Sequence, residues 1–277
     1  MISFRTACHL WATWRFRNYR PQPITRLTVD AWLDQFGEKH HRHLFTLLRH
    51  VKYVQREEAH SDLARLNRVL LRELKGRGVE PDHVIYIQID DAASSSPLML
   101  KVLRDDERLR ALGCKFIDSK NADELLRTTF ELEFGAIIYV DDFSGTGNQF
   151  CESRDMVSAQ IVGDWSEFFL VPYICEEAIE KLGDRGIEHR SKEEHLKVDR
   201  LLHPNCDKCR SQTKDELMLL SERISRRYPL GYKNLGTMLV FSTHCPNTSP
   251  VLLRGSKGQH PFVGILPNPD DLPPHQI

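Results

Sequence analysis

The stretch that decides the fold is residues 136–149, which read Ala-Ile-Ile-Tyr-Val-Asp-Asp-Phe-Ser-Gly-Thr-Gly-Asn-Gln. The first five residues are apolar and rich in β-branched side chains, a run typical of a strand buried on both faces of a sheet. Two acids end this strand, a loop of small residues follows, and a helix is expected from there to about residue 162. In a parallel sheet such a loop lies at the carboxyl edge, where α/β proteins bind ligands.

The loop has the composition of a phosphate-binding site. Gly145 and Gly147 allow backbone conformations that are closed to other residues, so successive N–H groups can converge on an anion. The following helix directs its free N–H groups and the positive end of its dipole to the same point. Thr146 adds a hydroxyl donor within the loop.

The two acids before the loop indicate a sugar beside the phosphate. Asp141 and Asp142 would repel a phosphate if they faced it, but they can accept hydrogen bonds from a sugar diol. The pattern therefore predicts a ribose 5-phosphate site, with the acids on the ribose hydroxyls and the loop on the phosphate. The candidate ligand-binding residues are Asp141, Asp142, Ser144, Gly145, Thr146, Gly147, Asn148 and Gln149.

Other loop motifs fail at specific residues. The dinucleotide fingerprint needs a third glycine where Phe150 stands, and a Walker loop needs a lysine that this loop lacks. An aspartic-protease element needs its acid directly before Thr-Gly or Ser-Gly, whereas Phe143 and Gly145 intervene here. The alternative that stays open is a strand and a glycine turn, with Asp142 only capping the next helix.

Strands alternate with helices around this stretch. Thr28 is expected to cap the first of three amphipathic helices within 28–75. The other predicted elements are strands at 84–89, 114–117, 168–171 and 238–241, and helices at 97–112, 176–182 and 216–228. This order predicts an α/β fold, a parallel sheet with flanking helices, preceded by an α-helical N-terminal region.

Composition places the chain among ordinary globular proteins. Its 277 residues carry a net charge of −1, which excludes a polyanion binder that works through bulk charge. No run reaches the roughly 18 apolar residues of a membrane span, and no export signal is recognisable. Seven scattered cysteines, an odd number, then indicate reduced thiols in a cytoplasmic protein without a membrane partner.

The chain divides into segments of different composition. Residues 1–27 hold five arginines and no acid, and Trp11, Trp14, Phe16 and Tyr19 are interleaved with the arginines. The predicted boundaries are 1–27 for a basic and aromatic N-terminal strap, 28–266 for one domain (helical part 28–78, α/β nucleotide-binding core 79–190, C-terminal part 191–266) and 267–277 for a Pro-rich tail.

The loop resembles a known signature. The pattern Val140-Asp141-Asp142-x-x-x-Thr146-Gly147 is similar to the phosphoribosyl pyrophosphate signature of type I phosphoribosyltransferases. The resemblance implies that the acids hold the ribose 2- and 3-hydroxyls, that the loop wraps the 5-phosphate, and that Mg²⁺ accompanies the ligand. One position departs from the family, because Gln149 stands where the family usually has Thr or Ser, which leaves catalytic competence open.

Flanking blocks resemble a more particular group, the phosphoribosyltransferase-like effectors of bacterial conflict and anti-phage systems, over about 28–266. The blocks are residues 53–58, 175–179, 229–235 and 245–250. The resemblance implies a phosphoribosyl or nucleotide ligand and a partner protein from a defence operon. A non-catalytic sensor or interaction subunit with the same fold is the alternative.

The same resemblance implies a pyrophosphate loop after an earlier strand, at Asp90, Asp91, Ser94, Ser95 and Ser96. Its serines would donate to phosphate, and its acids would bind magnesium through water. The equally open alternative is a solvated turn with a helix cap.

A weaker pattern concerns zinc. His203, Cys206 and Cys209 have a spacing compatible with three zinc ligands, with Cys245 or His244 as a fourth. A single CxxC is a weak signal, so a polar loop with free thiols and less than stoichiometric zinc is expected. A zinc-assisted nucleic-acid binder that uses the arginines and aromatics of 1–27 is a third function class, disfavoured by the net charge.

Overall fold

The computed structural model describes residues 3–89, 96–256 and 262–268. It divides into two compact units. Unit 1 combines Met1–Arg56 with Leu196–Ile277, and unit 2 is the continuous stretch Glu57–His195. Residues 57–78 of the predicted helical N-terminal part therefore lie in unit 2, together with the α/β core.

Helices and short strands alternate along much of the described chain. The helices are α1 Phe4–Arg15, α2 Arg26–Leu33, α3 His41–Arg49, α4 Arg56–Gly76, α5 Ser96–Arg104, α6 Glu107–Ala111, α7 Ala122–Leu132, α8 Asn148–Ser158, α9 Glu176–Gly183, α10 Ser211–Ile224 and α11 Val251–Arg254. The strands are β1 Lys52–Val54, β2 Val84–Gln88, β3 Lys115–Ile117, β4 Phe134–Val140, β5 Phe143–Ser144, β6 Asp164–Leu170, β7 Tyr173–Cys175, β8 Glu188–Arg190, β9 Glu193–His195, β10 Leu239–Phe241, β11 Gly255–Ser256 and β12 Phe262–Val263.

A five-stranded sheet forms the centre of unit 2. Its strand order is β3-β2-β4-β6-β8, and every neighbouring pair is parallel. All residues of β2, and all of β4 after Phe134, are buried, which is why both strands read as continuous apolar runs. Phe150 of α8 stacks on Phe169 of β6 with ring centroids 4.2 Å apart, so the helix packs on the sheet. The predicted α/β fold, a parallel sheet with flanking helices, is confirmed.

A second, smaller sheet continues three of these strands. The chain leaves β4, β6 and β8, passes through two residues each time, and resumes as β5, β7 and β9. These short strands pair in the same order, β5-β7-β9, and are again parallel. The three interruptions are Asp141–Asp142, Val171–Pro172 and Ser191–Lys192. The two predicted sugar-binding acids thus occupy the break in the central strand.

Helices dominate unit 1, which confirms the predicted α-helical N-terminal region. Two aromatic side chains that follow α1 are buried, with Phe16 fully enclosed and Tyr19 donating to the carbonyls of Leu266 and Pro267 at 3.0 and 2.9 Å. Trp32 of α2 donates to the carbonyl of Leu252 at 2.9 Å. The strand β1 pairs in parallel with β10, so the two ends of the chain share one core.

The predicted boundaries of three helices are wrong. Thr25, not Thr28, caps α2, and Thr28 closes a reciprocal capping box with it. The single helix expected at 97–112 is two helices, because the side chain of Asp106 accepts from the amide of Arg108 and starts α6. The helix expected at 216–228 is α10, which begins five residues earlier and ends at Ile224.

None of the helices in the described ranges is both long and apolar enough to cross a membrane.

An ion pair joins the end of α4 to β8. Arg77 donates to both carboxylate oxygens of Glu188, at 2.8 and 3.1 Å. This hydrogen bonding, with a smaller contribution from Arg190, lowers the pKa of Glu188 from 4.5 to about 2. The Glu188 side chain is 45% exposed, so screening by solvent reduces the contribution of the pair to the free energy of unfolding to about 1 kcal/mol.

Changing Glu188 to Gln is expected to lower the free energy of unfolding by about 1 kcal/mol at pH 7. A carboxylate whose pKa is lowered by folding stabilises the protein fully above its unfolded pKa, and the stabilisation disappears as the pH falls through the folded pKa. The difference between the two proteins should therefore shrink from pH 4.5 to about 2. Urea unfolding at several pH values measures it, and a pH-independent difference would contradict the assignment.

Candidate functional site

The two acids are held by the backbone of the neighbouring strand. The amide of Asp141 donates to the carbonyl of Leu170 at 3.2 Å, and the carbonyl of Asp142 accepts from the amide of Tyr173 at 3.3 Å. The Asp141 carboxylate also accepts from the amide of Asp142 at 2.9 Å. Asp142 is only 3% exposed. The break in β4 is therefore an ordered turn that holds both carboxylates at the carboxyl edge of the sheet.

The loop after the acids returns directly to a helix. Ser144 of β5 is buried and pairs with Ile174 of β7, which anchors the first half of the loop. Gly147 has a φ of +69° and is the N-cap of α8, where no side chain caps the helix. The hydroxyl of Thr146 accepts from the amide of Asn148 at 3.3 Å. The predicted loop is thus a tight turn that opens an eleven-residue helix.

Gly147 is needed for space as well as for conformation. A Cβ atom at this position would lie 3.2 Å from the backbone Cα of Ala178 in α9, tighter than an ordinary contact. A φ of +69° is also a conformation that L side chains rarely adopt. The start of α8 can therefore approach α9 this closely only with glycine.

Sequence reasoning missed a lysine at this helix start. Lys181 of α9 donates to the side-chain oxygen of Asn148, the first residue of α8. An ammonium group there adds positive charge to the end of the helix that already favours anions. No local signal in the sequence marks Lys181, because its position depends on the pairing of β7 with β5.

The remaining loop residues differ in exposure. Gly145 and Thr146 are half-buried, whereas the side chain of Gln149 is exposed on the first turn of α8. The structure thus brings the acids, Ser144 and the turn 145–148 to one edge of the sheet. The assignment of these residues to ribose and phosphate stays a prediction.

The pyrophosphate loop expected after β2 is only partly described. Asp90, Asp91, Ser94 and Ser95 lie outside the described residues. Ser96 is fully buried, and its hydroxyl accepts from the amide of Ile89 at 2.8 Å and donates to the carbonyl of Val140 at 2.6 Å. Ser96 therefore joins the carboxyl ends of β2 and β4, one residue before the acids.

A lysine organises the loop that carries the zinc candidates. The Lys214 ammonium donates to the carbonyls of His203, Pro204 and Cys206. The ring of His203 accepts from the amide of Asn205 at 3.2 Å. Cys206 is buried and Cys209 is half-buried. Among the described residues, no group of three His, Cys, Asp or Glu side chains is placed to hold a metal, and less than stoichiometric zinc stays a prediction.

A buried polar cluster supports the small sheet. Asp62 of α4 accepts from the hydroxyl of Tyr173 at 2.9 Å, from Lys192 at 2.6 Å and from Arg65 at 2.9 Å. Burial, and then the hydrogen bond to Asp62, raise the pKa of Tyr173 well above its ordinary range. Tyr173 is the strand partner of Phe143, so the cluster fixes the strand beside the loop.

The class of protein follows from this arrangement, because paired acids that lead into a glycine turn at the carboxyl edge of a parallel sheet are typical of a phosphoribosyltransferase-like protein. The chain belongs to the PRTase-CE family, whose family model matches residues 29–267. No curated protein matches the chain.

Three solved structures resemble the chain at low identity. One is orotate phosphoribosyltransferase from Aeropyrum pernix, 16% identical over 50% of this chain and 71% of that one, with a TM-score of 0.32. Another is orotate phosphoribosyltransferase from Mycobacterium tuberculosis H37Rv in complex with inorganic phosphate. It is 14% identical over 59% of this chain and 92% of that one, with a TM-score of 0.32. The third is HGPRT-ase from Leishmania tarentolae in complex with GMP. It is 14% identical over 44% of this chain and 69% of that one, with a TM-score of 0.30.

Proposed function

We propose that this protein binds a ribose 5-phosphate or phosphoribosyl pyrophosphate ligand at the turn between β4 and α8. Asp141 and Asp142 accept hydrogen bonds from the ribose hydroxyls, and residues 144–149 hold the 5-phosphate. The observation that carries the proposal is that Asp142 is buried and that Gly147, only five residues later, starts α8 in a left-handed conformation. The short separation along the chain supports a ligand whose phosphate is at the helix start and whose ribose is at the acids.

Magnesium is proposed to arrive with a diphosphate ligand. Mg²⁺ is commonly bound by one or two carboxylates together with substrate phosphates, so a dedicated cage of protein ligands is not needed. Asp141 and Asp142 supply carboxylates at the sheet edge. When bound, the ion would neutralise the charge of the diphosphate. Titrations with and without Mg²⁺ should then differ for phosphoribosyl pyrophosphate more than for ribose 5-phosphate.

In the cell, the proposed role is that of a cytoplasmic effector of a bacterial anti-phage or conflict system, acting with a partner from the same operon. The blocks at 53–58, 175–179, 229–235 and 245–250 support this role through their resemblance to such effectors. The second candidate is a sensor without catalysis, which is favoured by the exposed Gln149 in place of a hydroxyl residue. Release of diphosphate from phosphoribosyl pyrophosphate would distinguish the enzyme from the sensor.

Changing Asp142 to Asn is expected to weaken binding of ribose 5-phosphate by roughly ten- to hundredfold. The substitution keeps the shape but removes the charge of an acceptor, and a charge-assisted hydrogen bond contributes about 1.5–3 kcal/mol. Binding of inorganic phosphate should be unchanged or slightly tighter, because a negative charge leaves the site while no ribose contact is lost. Calorimetric titration with both ligands measures the two effects.

The matched control is Asp164→Asn, because Asp164 is exposed at the opposite end of the sheet, at the start of β6. It removes the same charge and should leave both affinities unchanged. Equal binding of ribose 5-phosphate by the wild type and Asp142→Asn would reject the ribose contact. A wild type that binds neither ligand, with or without magnesium, would reject the whole site.

A further inference from the structure

Among the described residues of unit 1, one buried tyrosine hydroxyl has no hydrogen-bond partner. Tyr53 of β1 is 5% exposed, and its hydroxyl is shielded from solvent without a partner among the described residues. Buried polar groups nearly always have a partner, because an unsatisfied one costs free energy. Such an orphaned donor therefore indicates a group that the protein takes up from solution.

Arginines of the N-terminal segment place positive charge near Tyr53. Phe16 meets the Tyr53 ring edge-to-face at 5.2 Å, and the Arg15 guanidinium lies 5.9 Å from the centroid of that ring. Burial raises the pKa of Tyr53 to about 12, while the positive charges of Arg15, Arg17 and Arg20 oppose the increase. An anion that accepted a hydrogen bond from the hydroxyl would also be attracted by this positive charge.

Two of these arginines have no carboxylate partner in the described part of the chain. The Arg15 guanidinium lies over the Tyr53 ring, and Arg17 lies over the Trp14 ring at 5.7 Å and donates to the Trp14 carbonyl at 3.4 Å. Arg5 on the same helix shows the contrast, since it is paired with Asp30 of α2 and with Asp34 directly after that helix. Within the described residues of unit 1, the charges of Arg15 and Arg17 are therefore not paired with a carboxylate.

An exposed aromatic ring lies beside these charges. Trp14 is 62% exposed although it is one of the largest apolar side chains of the protein. Exposed aromatic rings next to arginines are the combination that holds nucleotides, because bases stack on the ring while guanidinium groups contact phosphate.

We infer that Tyr53, Arg15 and Arg17 form a second phosphate site, which takes the phosphate of a nucleotide unit while Trp14 stacks its base. The Tyr53 hydroxyl donates to a phosphate oxygen, and Arg15, whose long side chain lies over the ring, covers the bound phosphate. All of these residues belong to unit 1, whereas the phosphoribosyl site lies within unit 2. The inference is therefore independent of the proposed function.

Tyr53→Phe tests the site without disturbing the fold. The variant removes only a hydroxyl that has no partner in the described part of the chain, so its thermal stability should be unchanged or slightly higher. Its affinity for a short fluorescein-labelled oligothymidylate, measured by fluorescence anisotropy, should fall by about tenfold, since one hydrogen bond to a charged group is lost. Equal affinity of wild type and variant would mean that the hydroxyl does not contact phosphate, and would overturn the inference.

The arginines are tested together against a matched pair. Arg15→Gln with Arg17→Gln should reduce both the affinity and its dependence on salt, because fewer phosphate charges are then neutralised. Arg42→Gln with Arg49→Gln removes the same charge from exposed positions of α3 and should change neither. A wild type that does not bind the labelled strand or AMP, or control and test pairs that behave alike, would overturn the inference.

Competition identifies the source of the phosphate. If AMP displaces the labelled strand at a concentration close to that of the strand, a free nucleotide is supported as the ligand. Displacement only by unlabelled oligothymidylate would support a single strand of nucleic acid. Both results require the same Tyr53 and arginine contacts, so each supports the phosphate site.

Discussion

Replacing Gly147 with valine is expected to weaken binding of ribose 5-phosphate by more than about a hundredfold, the larger of the two ligand effects predicted for unit 2. The left-handed conformation costs an L residue about 1–2 kcal/mol, and a β-branched side chain costs more. The new side chain would also press on the backbone of Ala178, which a Cβ alone approaches to 3.2 Å. The start of α8 must then move, and its N–H groups no longer converge on the phosphate.

Gly186 provides the control for this substitution. Its φ of +66° matches the +69° of Gly147, but a Cβ there meets nothing within 4 Å. Gly186→Val therefore has the strain of the conformation without the crowding, at a turn after α9. Calorimetry should find full affinity in Gly186→Val, and circular dichroism should find both variants folded. Comparable loss of affinity in the two variants would show that strain alone, rather than the position of α8, governs binding.

Replacing Asp62 with alanine is expected to lower the free energy of unfolding of unit 2 by about 3–5 kcal/mol. The Asp62 side chain is only 7% exposed and accepts hydrogen bonds from Tyr173, Lys192 and Arg65. Its removal leaves the buried Tyr173 hydroxyl without this acceptor and the Lys192 charge with a weaker partner. Since Tyr173 lies in β7 beside the loop, weaker binding of ribose 5-phosphate should accompany the lost stability.

Glu58→Gln is the matched variant for Asp62. Both carboxylates contact Lys192, but Glu58 is 43% exposed and lies farther away, at 3.2 Å. An exposed pair contributes less than about 1 kcal/mol, so this change should be nearly neutral in urea unfolding. If Asp62→Ala were equally neutral, the buried cluster would not be what stabilises the small sheet.

The central strands and the loop could be predicted because their signals are local. The apolar run at 136–140, the two acids and the glycines lie next to one another, and each has a direct physical meaning. The short strands β5, β7 and β9 have only two or three residues each, too few to show a period. Their pairing depends on where β4, β6 and β8 end, which only the folded sheet determines.

The supporting side chains could not be predicted for a related reason. Lys181 and Asn148 are 33 residues apart, and Asp62 and Tyr173 are 111 apart. Nothing in the local pattern around Lys181 distinguishes it from a solvated lysine of an amphipathic helix. Similarly, Asp62 has an ordinary position near the start of α4, and only its burial shows that it needs partners.

Synthesis on the ribosome imposes an order on the two units. Unit 2 is continuous, so every strand of its sheets has been synthesised once residue 195 is made. In unit 1, β1 emerges early but its partner β10 follows only at Leu239–Phe241. At about 5–20 residues per second this delay is on the order of ten seconds or longer. During this delay the apolar faces of the nascent N-terminal helices are not yet covered by β10. Conditions that slow translation should therefore delay the folding of unit 1 far more than that of unit 2.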